Sequence, residues 1–310
     1  MKMIDICDLR GTDEPISLTI GKFDGIHVGH QQLIAAMRKT GLPMAMLSVC
    51  IPGAEELLTQ EESAMAAEAM GIELFVRMPL VGENKSMTPE AFLRDICIGK
   101  CNAQVIVVGE NFRFGQGRTG DAKMLAKLAE EMGIRCIVCP MIREDGEDVS
   151  STRLRTLLSE GDIVTLNRML GYAYPVHGIV MRGKRIGHEL RFPTVNLYPP
   201  AEKLLPPFGV YRTRTRVGEN EYVSVTNVGN NPTVRDGLVH GITVETHIPG
   251  IAEELYGSEI TVSFYERIRG QKKFGSLAEL SEQLALDTET ALAKAADDKN
   301  VQIFPAFFEK

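Results

Sequence analysis

The pattern of apolar residues changes near the middle of this chain of 310 residues, and that change constrains the fold more than any other feature. In the first half, short runs rich in Val, Ile and Leu alternate with longer segments of helical spacing. Such alternation predicts a parallel sheet covered by helices on both faces. The predicted strands are residues 16–20, 44–50, 74–76, 105–108 and 135–139, and the predicted helices include 61–70, 89–98 and 122–132.

The second half has a different organisation. Two short helices are expected at residues 152–159 and 163–169, and residues 171–175 favour a linker. Strand-like segments then follow, separated by Gly, Pro and Asn clusters, which is typical of a small antiparallel β-barrel. These segments are residues 174–181, 210–217, 222–228, 242–248 and 259–267, and a terminal helix follows at 277–295. We therefore expect an α/β domain at residues 1–170 and a barrel domain at residues 171–310.

Charge and hydropathy argue against several classes of protein. A net charge of -7 argues against a general nucleic-acid binder, which usually presents a basic surface. No apolar run approaches the roughly 20 residues of a membrane span, and the N-terminus lacks the apolar core of a signal peptide. We therefore expect a cytoplasmic enzyme with no nucleic-acid partner and no membrane association, and the oligomeric state stays open.

All six cysteines lie within the first 139 residues. Cys136 and Cys139 form a C-x-x-C pair, a spacing found in zinc and redox sites. Here the pair falls on a predicted strand, where residues three apart point to opposite faces and cannot share a metal. Cys97 and Cys101 can share a helix face, but no second pair is evident. The cysteines are therefore expected to be buried free thiols.

Residues 21–30, Gly-Lys-Phe-Asp-Gly-Ile-His-Val-Gly-His, lie between a predicted strand and a helical pattern. The N-terminus of a helix offers free N–H groups and a partial positive charge, which suit a phosphate group. Gly25 and Gly29 allow a sharp turn and the close approach of a ligand. His27 and His30 are three apart, so both rings can face one side and stabilise charge on a transferring phosphoryl group. A tight turn with two incidental histidines is the simpler alternative.

Two further segments carry groups that suit phosphates. In residues 149–155, Val-Ser-Ser-Thr-Arg-Leu-Arg, three hydroxyls open a predicted helix, where they can cap the helix or bind a polyphosphate. In residues 192–196, Phe-Pro-Thr-Val-Asn, the side chains of Thr194 and Asn196 project to the same face of a strand. A hydroxyl and an amide oxygen can together hold Mg²⁺ and phosphate oxygens, although such a pair is ordinarily a solvated strand face.

With these motifs in this order, the whole chain resembles the prokaryotic bifunctional riboflavin kinase/FAD synthetase family. The first half is similar to its FMN adenylyltransferase module, a Rossmann-like H-x-G-H nucleotidyltransferase domain. The resemblance implies ATP, riboflavin and FMN as substrates, Mg²⁺ bound with ATP, and FMN and FAD as products. The first half carries it in residues 21–30, 109–115 and 149–155, and the second half, similar to the riboflavin kinase barrel, in residues 183–187, 192–196, 209–211, 227–233, 244–247, 255–257 and 269–274.

The resemblance also implies roles for individual residues. His27 and His30 would contact the ATP phosphates and stabilise the transition state of adenylyl transfer. Glu245 would be the general base that takes the proton from the ribityl hydroxyl of riboflavin, and Thr194 and Asn196 would bind Mg-ATP. The other residues expected at the adenylyltransferase ATP site are Gly21, Phe23, Asp24, Gly25, Asn111, Ser151, Thr152 and Arg155, while Arg269 is expected near the flavin or in an exposed salt bridge.

The sequence departs from the family pattern at four places. Lys22 stands where the family usually has Asn or a small residue, and residues 48–53 lack the family's Thr-Phe-x-Pro-His-Pro. Ser63 replaces a basic residue, and Arg191 replaces a Gly that precedes Phe-Pro-Thr.

These departures leave alternatives to the bifunctional interpretation. The first is a riboflavin kinase whose first domain binds nucleotide without transferring it, and residues 48–53 are the feature that favours it. The second is an H-x-G-H transferase for another acceptor, against which the barrel motifs argue. The third is a flavin-binding regulator without turnover.

Overall fold

The computed structural model of this chain describes residues 1–182, 192–235, 238–251, 254–295, 301 and 304. The chain forms two compact units, of which the first is Met1–Arg153 and the second begins at Leu154. The boundary expected from the sequence, between residues 170 and 171, stays a prediction. Arg191 and the motif at residues 183–187 lie outside the described residues.

The first unit is built on a parallel sheet. Its strands are β1 (Lys2–Asp5), β2 (Ile16–Gly21), β3 (Met44–Cys50), β4 (Leu74–Pro79), β5 (Ala103–Gly109), β6 (Arg113–Phe114), β7 (Gly120–Asp121), β8 (Arg135–Cys139), β9 (Arg143–Glu144) and β10 (Glu147–Asp148). Six of them pair in the order β1-β4-β3-β2-β5-β8, and every pair is parallel. The five predicted strands are confirmed. The prediction omits β1, because none of its four side chains is fully buried and no apolar pattern results.

The helices of this unit lie between the strands, as predicted. They are α1 (Val28–Arg38), α2 (Gln60–Ala69), α3 (Gly82–Ser86), α4 (Pro89–Ala91), continued by the π-helical segment Phe92–Lys100, and α5 (Ala122–Glu131). Helix α2 begins with a capping box, in which the Thr59 hydroxyl accepts from the Glu62 N–H and the Glu62 carboxylate accepts from the Thr59 N–H. The predicted helices at 61–70, 89–98 and 122–132 are confirmed to within two residues at each end.

The central strands are covered on both faces. Residues 16–20 of β2 and residues 105–108 of β5 are all buried. Burial of successive residues means that neither face of these strands meets water, as a parallel sheet between helices requires. The six cysteines, all of them described, are free as predicted, and burial raises the pKa of Cys101 to about 12. Cys7 is exposed, however, so burial holds for only part of the set.

The second unit is built on an antiparallel sheet. Helix α6 (Ser151–Glu160) contains the boundary, and the later elements are α7 (Ile163–Leu170), β11 (Tyr174–Ile179), β12 (Thr194–Leu197), β13 (Gly209–Val217), β14 (Asn220–Arg235), β15 (Leu238–His247), β16 (Glu259–Gly270) and α8 (Leu277–Ala293). The described strands pair in the order β11-β16-β13-β14-β15-β12. A bridge between Met181 and Asn196 joins the two edges of this sheet. The predicted antiparallel barrel with a terminal helix is confirmed.

The predicted linker at residues 171–175 is wrong. Gly171 does end α7 in the left-handed conformation, with φ of 81°. Tyr172 and Ala173 are fully buried, however, and Tyr174 is the first residue of β11. The Tyr172 ring packs against Phe304 with ring centroids 5.6 Å apart. Gly and Pro at the ends of this segment mark turns, but the aromatic side chains between them belong to the core.

Five buried hydroxyls cross the middle of the barrel. They form a continuous hydrogen-bonded row in the order Thr215, Ser224, Thr213, Thr226 and Thr246. Successive oxygens are 2.8 to 2.9 Å apart, and all five residues have no exposed surface. Because each hydroxyl can donate once and also accept, four of the five O–H groups can donate within the row, and every oxygen has a partner in it. The row also ties β13, β14 and β15 to one register.

Candidate functional site

A cleft of about 690 Å³ opens at the carboxyl edge of the parallel sheet in the first unit. Ligands of open α/β sheets bind at this edge. The cleft is lined by residues at or just beyond the ends of β2, β3, β4, β5 and β8. Six of the residues expected at the ATP site line it, namely Gly21, His27, His30, Asn111, Ser151 and Thr152.

The loop that precedes α1 presents the two histidines to this cleft. His27 is the residue before the first turn of α1, and its side chain makes no capping hydrogen bond to the helix. The open N–H groups of that turn are therefore available to an anion. Gly25 has φ of 69°, and a Cβ at Gly29 would lie 3.1 Å from the His27 ring. The conformation of Gly25 therefore favours glycine, and a side chain at Gly29 would crowd the His27 ring, in agreement with the sequence prediction.

The imidazole rings of His27 and His30 lie against each other. Their centroids are 3.7 Å apart and the ring planes differ by 18°. The Phe23 and His30 rings form a T-shaped contact, with centroids 5.1 Å apart. Nδ1 of His30 is 3.3 Å from the carbonyl oxygen of Gly25, whereas Nδ1 of His27 is buried without a hydrogen-bond partner. The prediction that both rings face the same side is confirmed.

Burial keeps this pair uncharged near neutral pH. It lowers the pKa of His30 to about 4, against an ordinary value of 6.5. The pKa of His27 is also well below its ordinary value, because of burial first and the nearby His30 second. A bound polyphosphate would oppose both shifts, since negative charge favours the protonated imidazole.

Four of the residues expected at the ATP site are not among those that line the cleft. Phe23 is 1% exposed, with φ of 50°, and its ring packs against His30. The carboxylate of Asp24 accepts a hydrogen bond of 2.6 Å from the N–H of Leu57. Gly25 is a turn residue, and Arg155 lies in the second turn of α6. The first three therefore shape the loop that carries the histidines.

Ser151 joins the two predicted phosphate-binding segments. Its hydroxyl donates to the carbonyl oxygen of Asp24 at 2.8 Å, although the two residues are 127 positions apart in sequence. The hydroxyl of Ser150 accepts from the N–H of Arg153, so it caps α6 as the alternative interpretation suggested. Thr152 is exposed and lines the cleft. The two motifs therefore meet at one site.

The departures from the family pattern in this half have clear positions. Ile51, in the segment that lacks Pro-His-Pro, lines the cleft and is 41% exposed. Ser63 is 3% exposed on α2 and does not line the cleft. Lys22 lines the cleft directly beyond β2. Lys85 and Arg118 also line the cleft. The sequence analysis did not identify them, because neither belongs to a recognisable motif.

In the second unit, Thr194, Asn196 and Glu245 come together as predicted. Strand β12 pairs with β15 so that Asn196 lies opposite Glu245. The Thr194 hydroxyl donates to Oε1 of Glu245 at 2.7 Å. Glu245 is half-buried, so it is not an ordinary exposed strand carboxylate. Hydroxyl, amide and carboxylate oxygens are the ligands that Mg²⁺ prefers.

One more amide side chain, Asn227, lies beside this cluster, although the sequence analysis included it only within residues 227–233. Asn227 on β14 lies opposite Glu245 on the other side from Asn196. A Cβ at Gly229 would lie 2.8 Å from Nε2 of Gln271 and 3.3 Å from Nδ2 of Asn227. The signal in the sequence was the Gly two residues after Asn227, because close approach of a side chain is a reason for Gly in a strand.

Arg269 forms an ion pair with a buried carboxylate. Its guanidinium nitrogens lie 2.7 to 3.1 Å from the two carboxylate oxygens of Asp287, which is 2% exposed on α8. Gln283 donates to the same carboxylate at 3.0 Å. Of the two interpretations of Arg269, the salt bridge is therefore present, and it is partly buried rather than exposed.

The comparisons with known proteins agree with this division into two sites. Residues 10–153 match the family model of FAD synthetase, and residues 170–295 match that of riboflavin kinase. A bifunctional riboflavin kinase/FMN adenylyltransferase of Escherichia coli (strain K12) is 31% identical over 297 residues, covering 91% of this chain and 93% of that protein. This chain belongs to the bifunctional riboflavin kinase/FMN adenylyltransferase family. Matches in both halves support the bifunctional interpretation over a monofunctional kinase.

Other members of the bifunctional family and one solved structure are similar over nearly the whole chain. The Bacillus subtilis (strain 168) protein is 29% identical over 290 residues, covering 89% of this chain and 91% of that one. A crystal structure described as a macrolide-efflux protein from Streptococcus pneumoniae superposes with a TM-score of 0.81 and 26% identity, covering 94% and 98% of the two chains.

Among the described residues, no helix is both long and apolar enough to cross a membrane.

Proposed function

We propose that this chain phosphorylates riboflavin to FMN and then adenylylates FMN to FAD, with ATP as the donor in both steps. The proposal is supported by two groups of side chains that suit phosphate, one in each unit. The first lines the cleft of the parallel sheet, and the second surrounds Glu245. Each lies in a region that matches its own family model. The adenylyltransferase part is proposed to span residues 1–170 and the kinase part residues 171–310.

In the kinase step, Glu245 takes the proton from the ribityl hydroxyl while that oxygen attacks the γ-phosphorus of ATP, the bond to the β,γ-bridging oxygen breaks and ADP leaves. The hydrogen bond from Thr194 holds the carboxylate in place and keeps it an acceptor. Thr194 and Asn196 present oxygen ligands that fit Mg²⁺, which would neutralise charge on the ATP phosphates. We assign Thr194 and Asn196 to the Mg-ATP side, since the two side chains share one face of β12.

In the adenylyl-transfer step, an oxygen of the FMN phosphate attacks the α-phosphorus of ATP and pyrophosphate leaves. This reaction needs positioning and charge neutralisation more than a protein nucleophile. The N-terminus of α1 and the stacked imidazoles of His27 and His30 supply fixed donors, and Thr152 is placed to hold the leaving pyrophosphate. A cytoplasmic location is part of the proposal, because six free thiols suit a reducing compartment.

The test is a chromatographic assay of the purified protein with riboflavin, ATP and Mg²⁺, together with a His30→Ala variant. We expect the wild-type protein to form FMN and then FAD. His30→Ala should slow FAD formation by about 10²–10³-fold, the typical cost of one charge-stabilising group, while FMN accumulates. FMN alone from the wild-type protein would reduce the function to a kinase, and bound flavin without product would favour the regulator.

A further inference from the structure

We propose that Lys22 binds the phosphate group of the acceptor, FMN, and so sets the acceptor preference of the adenylyltransferase site. The proposal rests on the function proposed above. It concerns a residue that differs from the family pattern and that lines the cleft directly beyond β2.

The order of the strands divides the cleft into two sides. His27 and His30 follow β2 at the middle of the sheet. The segment that carries Ser151 and Thr152 enters the cleft from the side of β8, because the N–H of Val149 donates to the carbonyl oxygen of Ile142 just beyond that strand. From there Ser151 reaches the histidine loop through its hydrogen bond to the carbonyl oxygen of Asp24. The donor triphosphate therefore extends from the histidines toward α6.

In-line displacement requires the attacking oxygen and the leaving pyrophosphate on opposite sides of the α-phosphorus. The acceptor phosphate must then approach from the side of β3 and β4. The side chains that line the cleft there include Val49, Ile51, Met78 and Leu80, which suit an apolar ring system. If the ring of the acceptor lies on this apolar surface, its phosphate lies between the surface and the histidines. A cation at that position would neutralise the charge of the phosphate.

Lys22 lies at that position. The Ser48 hydroxyl at the end of β3 is 3.5 Å from the Lys22 carbonyl oxygen, which places Lys22 at the border of β2 and β3. Its side chain is exposed and forms no ion pair with any residue that the structure describes. Asp24, two residues away, has its carboxylate bonded to Leu57 instead.

The other cations that line the cleft are less suited to this role. Arg113 pairs with Asp121 at 3.3 Å. Lys85 is on α3 and Arg118 is on the segment between β6 and β7, so neither follows a strand at the centre of the sheet. Lys85 therefore offers a matched control, because it is also an exposed lysine that lines the same cleft.

The test is the steady-state kinetics of FAD formation from FMN and ATP for Lys22→Met, Lys22→Asn, Lys22→Arg and Lys85→Met. Lys22→Met and Lys22→Asn should each raise the KM for FMN about tenfold, which is the loss expected for one hydrogen bond to a charged group. The KM for ATP should stay within about twofold, because the donor binds on the other side of the histidines. Lys22→Arg, which keeps the charge, and Lys85→Met should behave like the wild-type protein.

Three outcomes would overturn the proposal. They are an unchanged KM for FMN in Lys22→Met and Lys22→Asn, a parallel rise in the KM for ATP, and an equal effect of Lys85→Met. Thermal unfolding of each variant with and without ATP shows that the first unit is folded. Failure of the wild-type protein to form FAD would instead refute the proposed function, so the two failures are distinguishable.

Discussion

The rings of His27 and His30 stack at the N-terminus of α1. Their pKa values are lower in the folded chain than their ordinary values, so protonation is less favourable in the folded chain than in the unfolded one. When the pH falls below the ordinary value of 6.5, the unfolded chain therefore takes up protons at these positions first. The contribution of His30 to stability is complete above that value and is lost as the pH falls toward about 4.

This linkage gives a prediction for the variant His30→Asn, whose amide can still donate to the Gly25 carbonyl. We expect the variant to lose less stability than the wild-type protein between about pH 7 and about pH 5. The measurement is the thermal unfolding midpoint of both proteins at the two pH values. Parallel losses in the two proteins would show that the pKa of His30 is the same in the folded and the unfolded chain.

Single residues also show how far sequence reasoning reached. The two histidines and Asn111 could be placed at one site because they follow strands of a parallel sheet, whose ends meet at one edge. Ser151 and Thr152 were expected there only from the resemblance to the family. The roles of Phe23 and Asp24 could not be seen, because these residues act through a ring contact with His30 and a bond to Leu57 that only the folded chain shows.

Helix α8 is held to the barrel by a polar contact rather than by a continuous apolar face. Asp287 and Ala291 are its buried residues, whereas Leu277, Leu286 and Leu292 are each at least half exposed. The two carboxylate oxygens of Asp287 bind Arg269 of β16. Breaking such a pair leaves a cation without compensation in a partly buried place.

We therefore expect Asp287→Asn to lower the free energy of unfolding of the second unit by about 2–4 kcal/mol. Lys294→Gln is the matched control, because Lys294 at the end of the same helix forms an exposed pair with Glu266. The control should change stability by less than about 1 kcal/mol. Chemical denaturation followed by circular dichroism measures both, and equal effects would mean that the buried pair does not anchor α8.

At the scale of elements, the sequence predicts most of both sheets but not their edges. Central strands such as β2 and β5 are continuously apolar and are recognised from composition alone. Edge strands β1 and β12 are four residues long and only partly buried. Strand β1 therefore has no alternation of apolar and polar residues by which it could be recognised. The segment at residues 171–175 was misjudged because turn-forming residues flank aromatic side chains that pack in the core.

At the scale of the whole molecule, each candidate site is formed by residues of a single unit. The cleft is lined by residues 20–152, and the kinase cluster is formed by residues of β12, β14 and β15. Each site therefore contains its own candidate catalytic groups under the proposed function. FMN is the product of one reaction and the substrate of the other, so it can pass between separate molecules through the solvent.

Mixing two single-site variants tests this independence. Glu245→Gln should lower FMN formation by about 10²–10⁴-fold, the usual contribution of a general base, and should still convert supplied FMN to FAD. His30→Ala should make FMN only. An equimolar mixture of the two should form FAD from riboflavin, as followed by chromatography. A mixture that stays inactive, or a Glu245→Gln protein that cannot use FMN, would contradict the two-site arrangement.

The row of five hydroxyls inside the barrel restricts the paths by which this core can evolve. Removing one hydroxyl leaves its neighbours with an unfilled hydrogen bond in a fully buried place, whereas replacing partners together by apolar groups of the same shape can be nearly neutral. Threonine-to-valine changes are thus penalised one at a time and tolerated as a set. Descendants of this sequence should therefore keep all five hydroxyls or lose them as a block, and intermediate combinations should be rare.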